Sequence, residues 1–261
     1  IPLMADLAAN NRSPEYLLWI GCAGAYDERY QIVIHALIRV LNYAKIDFAV
    51  LGPEESCTGD PARRAGNEML FQIQALSNIQ ILNNYNVKNI ITPCPHCYNT
   101  FKNEYPALGG NYEVIHHSEL LEKIITENPG FLDPGDKYKG KKVTYHDSCY
   151  LGRSNNIYNP PRQIIKSLKG TLTEMERNKA DGLCCGAGGS QMFKDAENGN
   201  KEIYIERTEE VLNSKAEIVA TACPFCLTML SDGIKSVEKE NKIKVLDVVE
   251  LFEKASERPL P

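Results

Sequence analysis

Apolar residues along this chain fall into two alternating patterns, and the whole alternation occurs twice. Short runs rich in branched and aromatic residues predict strands. They are Tyr16-Leu17-Leu18-Trp19-Ile20, Val87 to Thr92 and Tyr112 to Ile115, then Lys142-Val143-Thr144-Tyr145-His146, Ala216 to Thr221 and Ile243 to Leu246. Residues 28–45 and 62–86 carry apolar side chains at three- and four-residue steps, the period of a helix with one buried face. Segments 160–169 and 189–214 hold the corresponding places in the second half, and a helical stretch follows the last strand of each. This alternation predicts an α/β fold made of two homologous strand–helix halves from an internal duplication, each with a largely parallel sheet. The first repeat is placed at 1–127 and the second at 142–261. The linker is placed at 128–141, because Asn128 to Gly140 contains two prolines and three glycines.

The cysteines repeat with the pattern. One set is Cys22, Cys57, Cys94 and Cys97; the other is Cys149, Cys184, Cys185, Cys223 and Cys226. The gap from Cys22 to Cys57 holds 34 residues, as does that from Cys149 to Cys184. The gap from Cys57 to Cys94 holds 36 and that from Cys185 to Cys223 holds 37. Most of these cysteines follow a predicted strand or open a predicted helix. Ligands of parallel sheets sit at the carboxyl ends of the strands, so all nine can converge on such an edge.

Nine is an odd number, which a pure disulfide framework would leave with one spare thiol. A chain of this size needs no disulfide staples, so ligation in a reducing compartment is the better starting point. Iron–sulfur clusters are held by thiolates, commonly four per cluster. Pro95 and Pro224 follow the first cysteine of each Cys-x-x-Cys, where proline suits the first turn of a helix. Adjacent thiols at Cys184-Cys185 are awkward for one tetrahedral zinc, and the second half has one thiol more than an ordinary cube requires. Gly186, Gly188 and Gly189 let backbone come close and form an N–H nest around negative charge. The Gly-Ala-Gly-Gly run lacks the spacing of a dinucleotide or phosphate loop. A structural Cys₄ zinc remains the alternative for the first half.

With these motifs the sequence resembles the cysteine-rich CCG-domain proteins, typified by the cysteine-rich subunit of heterodisulfide reductase and the related domain of its membrane-bound form. The likeness runs from about Leu17 to Ala255. The second half matches fully through Cys149, Cys184-Cys185-Gly186, Cys223 and Cys226. In the first half, Ser56-Cys57-Thr58-Gly59 reads as serine in place of the first cysteine of the pair, with a threonine before the glycine. The resemblance implies a noncubane four-iron cluster on the five cysteines of the second half. Four thiols in the first half suit a cubane relay cluster. It also implies an iron–sulfur oxidoreductase subunit working beside a ferredoxin-like, two-cluster partner, a flavin dehydrogenase or a membrane redox partner. Electrons would pass to a disulfide, thiol or quinone-type acceptor at the second-half cluster. An electron relay without its own substrate and a zinc scaffold are the alternatives.

Other residues read less sharply. His96, His116-His117 and His146 lie near the predicted edge, and the commoner meaning is a solvated loop histidine or one bonded to backbone. Arg63-Arg64 reads as the charged first turn of a solvated helix, and Arg153 as a candidate for contact with an anionic substrate. The chain carries 29 basic and 34 acidic residues, a net of −5, which gives no reason to expect nucleic acid. No apolar run approaches the roughly 20 residues that span a bilayer. Ile1 to Asn11 has no secretory pattern. The opening on Ile1 rather than Met suggests trimming and leaves room for an upstream segment. The expected location is cytoplasmic, peripheral to a membrane through a partner.

Overall fold

The computed structural model describes residues 1–195, 198–237 and 242–256. The chain divides after His117 into two compact units, Ile1–His117 and the residues from Ser118 onward, so the 128–141 segment lies inside the second unit. The first unit runs α1 (Met4–Ala9), β1 (Tyr16–Leu18), α2 (Gly21–Tyr26), α3 (Glu28–Tyr43), β2 (Phe48–Ala49), α4 (Asp60–Arg64), α5 (Glu68–Asn84), β3 (Asn89–Thr92), α6 (Pro95–Asn99) and β4 (Glu113–His116). After α7 (His117–Glu127) come β5 (Lys142–Tyr145), α8 (Asn159–Ser167), β6 (Thr171–Leu172), α9 (Ile203–Asn213), β7 (Ile218–Thr221), α10 (Pro224–Val237), β8 (Lys244–Asp247) and α11 (Val248–Ala255).

Each unit holds one four-stranded sheet, ordered β2-β1-β3-β4 and β6-β5-β7-β8. Every pairing in both is parallel. Strands covered on both faces read as continuous apolar runs, as β7 does with all four residues buried. The order matters for function. From β1 the chain crosses to β2 on one side, and from β3 it crosses to β4 on the other. The carboxyl ends of β1 and β3 therefore flank a topological switch point, where connections diverge and leave a crevice. β5 and β7 flank the same point in the second unit.

Local sequence explains the helices. The Asp27 carboxylate caps α3 by accepting from the amides of Arg29 and Tyr30, and Val33, Leu37, Val40 and Leu41 form its buried stripe. The stretch 62–86 is not one helix: Gly66, at φ +87°, separates α4 from α5. Asn67 then caps α5, which buries Phe71, Ala75, Asn78, Ile79 and Leu82. The helix expected over 189–214 shortens to α9, because Gly189 and Ser190 both take left-handed φ, at +66° and +64°. Residues 196 and 197 of that stretch, and the tail 257–261 of the second repeat, lie outside the described residues. Strands β2 and β6 are two residues each, too short to show a period. The first core gathers Leu17, Trp19, Phe71, Ile90 and Phe101 with Cys94 and Cys97. A core cluster of the second unit gathers Met175, Val211, Val219, Leu230 and Ile234.

Candidate metal centres

The switch points collect the cysteines. Cys22 sits in α2 just past β1; Cys94 caps α6 just past β3, and Cys97 lies in that helix. Cys149 follows β5, Cys223 immediately precedes α10, and Cys226 lies in its first turn. Pro95 and Pro224 open their helices, as the sequence predicts. The loops before α4 and α9 bring in Cys57 and the Cys184-Cys185 pair. All nine thiols are free of disulfides.

In the second unit the five thiols form one connected string. Cys149 Sγ lies 3.8 Å from Cys184 Sγ. Cys184 also interacts with Cys185, Cys185 with Cys226, whose sulfur lies within 4.8 Å, and Cys226 with Cys223. In the first unit Cys22 interacts with Cys57 and Cys97 with Cys94, and Cys97 also feels the charges of Cys22 and Cys57. In each group one thiol is shifted down. The neighbouring Cys22 thiol and then the Gly59 amide bring Cys57 down to about 7, against the opposing effect of burial. The thiols of Cys149 and Cys185, with the amides of Gly186 and Gly188, hold Cys184 far below the usual thiol range. The other shifted thiols, Cys22, Cys97, Cys149, Cys185 and Cys226, are pushed up by bonds to neighbouring sulfurs and by burial.

These contacts correct the alignment of the halves. The Gly59 amide donates to Cys57 Sγ at 3.4 Å, and the Gly186 amide donates to Cys184 Sγ at 3.3 Å. Gly59 and Gly186 share φ near +90°, at +90° and +92°, a conformation that only glycine adopts readily. Cys57 therefore corresponds to Cys184, not to Cys185, in keeping with the equal 34-residue gaps. The missing cysteine of the first half is the second of the pair, and Thr58 stands in its place. Thr58 Oγ1 donates to Cys97 Sγ at 3.8 Å, where Cys185 touches Cys226. Ser56 is exposed and its hydroxyl donates instead to Asn78 Oδ1 at 2.8 Å.

The cysteine-rich domain family CCG matches this chain twice, over residues 16–102 and 143–231. The chain belongs to the CCG family. It is similar to the EtfAB:quinone oxidoreductase of Syntrophomonas wolfei, at 48% identity over 96% of this chain and 36% of that protein. It is 45% identical to the probable iron-sulfur-binding oxidoreductase FadF of Bacillus subtilis, over 97% of this chain and 35% of FadF. It is 32% identical to one subunit of the dihydromethanophenazine:CoB–CoM heterodisulfide reductase of Methanosarcina barkeri, over 92% of this chain and 59% of that polypeptide. The chain thus spans about a third of the length of the first two relatives.

Each CCG repeat fits a thiolate-held cluster on its own geometry. Close backbone approach is built in: a Cβ on Gly21 would meet Cys97 Sγ at 3.4 Å, and one on Gly188 would meet Cys184 Sγ at 3.8 Å. Gly186 and Gly188 aim amides at Cys184, whereas Gly189 turns the chain in open space. Some of the buried polar atoms lacking a partner within the protein sit on the segments that carry the thiols. Among them are Trp19 Nε1 in the first repeat and His146 Nε2, Ser148 Oγ and Thr221 Oγ1 in the second, while others, such as Gln74 Oε1, lie elsewhere.

The two CCG repeats brace the loop before their first cysteine differently. In the first, the Glu55 carboxylate accepts from the Ile20 and Gly21 amides at 3.1 and 2.5 Å. Burial, against those two amides, raises Glu55 to about 7. In the second, Asp147 accepts from Arg162 through both oxygens, at 2.7 and 2.8 Å, and from the Lys179 amide at 2.7 Å. Arg162 is 4% exposed and also bonds Glu174.

None of the four edge histidines is a solvated loop residue; all are buried. His96 Nδ1 meets Asp60 Oδ2 at 2.8 Å, and His116 Nε2 faces the Pro93 carbonyl at 3.3 Å. His146 accepts from Arg207, a contact that sequence spacing could not reveal. Arg63 and Arg64 both pair with Glu104, and Arg64 also with Asp60, so they anchor α4. Arg153 is exposed, yet near enough for its charge to help lower His146. A cleft of about 690 Å³ opens on Cys22 and Cys57 beside Glu55, Ile34 and Ile38. Another of about 690 Å³ borders Gly186, between Gln191 and Met229.

Proposed function

We propose that this chain is the electron-transfer segment of an iron–sulfur oxidoreductase, with a cluster on each CCG repeat. Cys22, Cys57, Cys94 and Cys97 would hold a cubane four-iron cluster. Cys149, Cys184, Cys185, Cys223 and Cys226 would hold a noncubane one. When bound, such clusters supply one-electron carriers at potentials set by charge, burial and hydrogen bonds. The observation that carries the reading is the connected string of five free thiols in one repeat against four in the other. Cys57 and Cys184 are the sulfurs that the amides of Gly59 and Gly186 stabilise as thiolates.

The relatives' names extend the reading. Quinone and heterodisulfide stand in two of them, so the acceptor class proposed here is a quinone or a disulfide, reacting at the second repeat. The first repeat would relay electrons from a ferredoxin-like or flavin partner. No helix among the described residues is long and apolar enough to cross a membrane, so contact with a quinone pool would come through other segments or partners. A second placement has one observation behind it: the cleft that opens on Cys22 and Cys57 beside Glu55 suits an acceptor at the first repeat.

Anaerobic iron and sulfide analysis tests the cofactor reading. We expect about eight iron atoms per chain, as two four-iron clusters require. Stoichiometric zinc without iron would reject it, and zinc beside about four iron atoms would assign a Cys₄ zinc to one repeat. Adding thiol or disulfide while following each cluster by EPR places the acceptor, since only the reacting cluster should respond.

A further inference from the structure

We propose that His146 is a fixed hydrogen-bond donor to the sulfur of the second CCG site, and that Arg207 both locks it in that role and prevents it from ligating metal. The geometry starts at Nδ1. Arg207 Nε donates to His146 Nδ1 at 3.0 Å. A guanidinium has only donors, so Nδ1 must offer its lone pair. A doubly protonated ring would set N–H against N–H, and the ring is therefore neutral with its hydrogen on Nε2.

Arg207 has little freedom to release that bond. It is fully buried, and its Nη1 donates to the Arg177 carbonyl at 2.8 Å and to Glu210. The free end of the imidazole is equally confined. His146 is 1% exposed, and its Nε2 has no partner within the protein. A ring nitrogen of His146 and the sulfurs of Cys185 and Cys226 all lie within 4.8 Å of one another. With Nδ1 occupied, the nitrogen available to those sulfurs is Nε2. Three close donor atoms resemble a metal site, but an Nε2 that carries hydrogen has no lone pair for a metal. It can only donate.

The twin repeat supports a donor at this position. Trp19 stands three residues before Cys22, as His146 stands three before Cys149. The backbone confirms the match: Trp19 N donates to the Ile91 carbonyl and His146 N to the Ala220 carbonyl, both at 2.9 Å. Trp19 Nε1 is likewise buried without a partner. An indole N–H donates and cannot ligate, so what both repeats keep at this point is an N–H. Such a dipole stabilises negative charge on sulfur. With a cluster in place, as the functional reading above assumes, it favours the reduced form and raises the potential. No proton is transferred; the bond only strengthens as charge accumulates.

Two measurements on the full chain test this. In the metal-free chain, ¹⁵N-histidine NMR should show His146 with hydrogen on Nε2, and hydrogen on Nδ1 overturns the proposal whatever metal the site takes. In the anaerobically loaded chain, redox titration by EPR follows both clusters, the first serving as internal reference. His146→Leu should lower the second midpoint enough to change its oxidised-to-reduced ratio by about tenfold, which is about 59 mV for a one-electron couple. His146→Gln, which restores an N–H, should recover most of that shift, while the first midpoint stays put in both variants. An unchanged second midpoint in His146→Leu overturns the proposal. So does a strong, directly bonded nitrogen coupling in wild-type protein labelled with ¹⁵N-histidine, a result that needs no variant to fold. Iron analysis of the wild type judges the cluster reading separately.

Discussion

In the first repeat the turn Cys57-Thr58-Gly59 offers its site one thiol and a hydroxyl; in the second the same turn, Cys184-Cys185-Gly186, offers two thiols. The shared features are those that place sulfur: a glycine at positive φ, an amide aimed at Cys57 or Cys184, and a Cys-Pro-x-Cys turn past the neighbouring strand. The differences lie in what surrounds the sulfur. Thr58 Oγ1 bonds Cys97 where Cys185 would offer a ligand, and an indole stands where the second repeat has an imidazole fixed by Arg207. Duplication has kept the frame and changed the donor set, which is how one fold can carry a relay site and a reacting site.

The comparison breaks most sharply at the fifth thiol. Cys184→Ala and Cys185→Ala each leave four cysteines in the second repeat, enough for an ordinary cube. The expected outcome is retained iron, loss of the second repeat's distinctive EPR spectrum, and loss of turnover with the physiological acceptor. Wild-type spectrum and activity in both variants would show that the adjacent pair is not what sets the repeats apart. The converse change is Thr58→Cys, which gives the first repeat a Cys-Cys-Gly turn on backbone already shaped for it. Its spectrum should move toward that of the second repeat, with iron per chain unchanged. Thr58→Val, which adds no ligand, should leave the spectrum close to wild type.

Much of this frame was legible in the sequence, because duplicated spacing and short apolar runs survive without any knowledge of packing. The strands from Tyr16, Val87 and Lys142 appear where the pattern puts them, and all nine cysteines fall at the switch points of the sheets. The register of the Cys-Cys-Gly turn was legible only in the equal gaps, not in the local motif. Ser56 and Thr58 flank the same cysteine; the equal 34-residue gaps point to Thr58 as the one that replaces a thiol, and the Gly59 amide bond decides it. His146 was visible as a residue before Cys149, but its partner Arg207 lies 61 residues away on α9, and no local pattern links them. Strands β2 and β6 escaped because two residues cannot display alternation.

The Asp147–Arg162 brace of the second repeat and the Arg64 ion pairs of α4 in the first predict unequal costs of a charge deletion. Arg162→Met leaves Asp147 buried at 5% exposure with its bidentate partner gone. Losing one partner of such a pair costs about 3–5 kcal/mol. Chemical denaturation of the metal-free chain should show that loss, and Cys149 should become more reactive to alkylating reagents as its loop loosens. Arg64→Met in the first repeat removes a partner whose side chain is 27% exposed. Asp60 keeps His96 and Glu104 keeps Arg63, and Arg64 itself is partly solvated, so the cost should stay at about 1 kcal/mol. Equal losses from the two changes would mean that the Asp147–Arg162 brace is worth no more than the Arg64 ion pairs.

The smallest effect is expected at Ser56, and it is the one that fixes the register of the repeats. Ser56 precedes Cys57 in sequence as Leu183 precedes Cys184. Its hydroxyl is spent on Asn78 Oδ1, and Asn78 is held independently, donating to the Cys57 carbonyl at 3.0 Å and to the Tyr105 hydroxyl at 3.1 Å. Ser56→Ala therefore removes one half-exposed hydrogen bond, worth about 1 kcal/mol or less. The first cluster's iron content, spectrum and midpoint should be those of the wild type. Cys57→Ala, one residue on, should deplete that cluster while sparing the second. Were Ser56→Ala to lose iron from the first repeat, serine oxygen would have to be a ligand. The match of Cys57 with Cys184 would then fail, and Thr58 would no longer be the residue that separates the two sites.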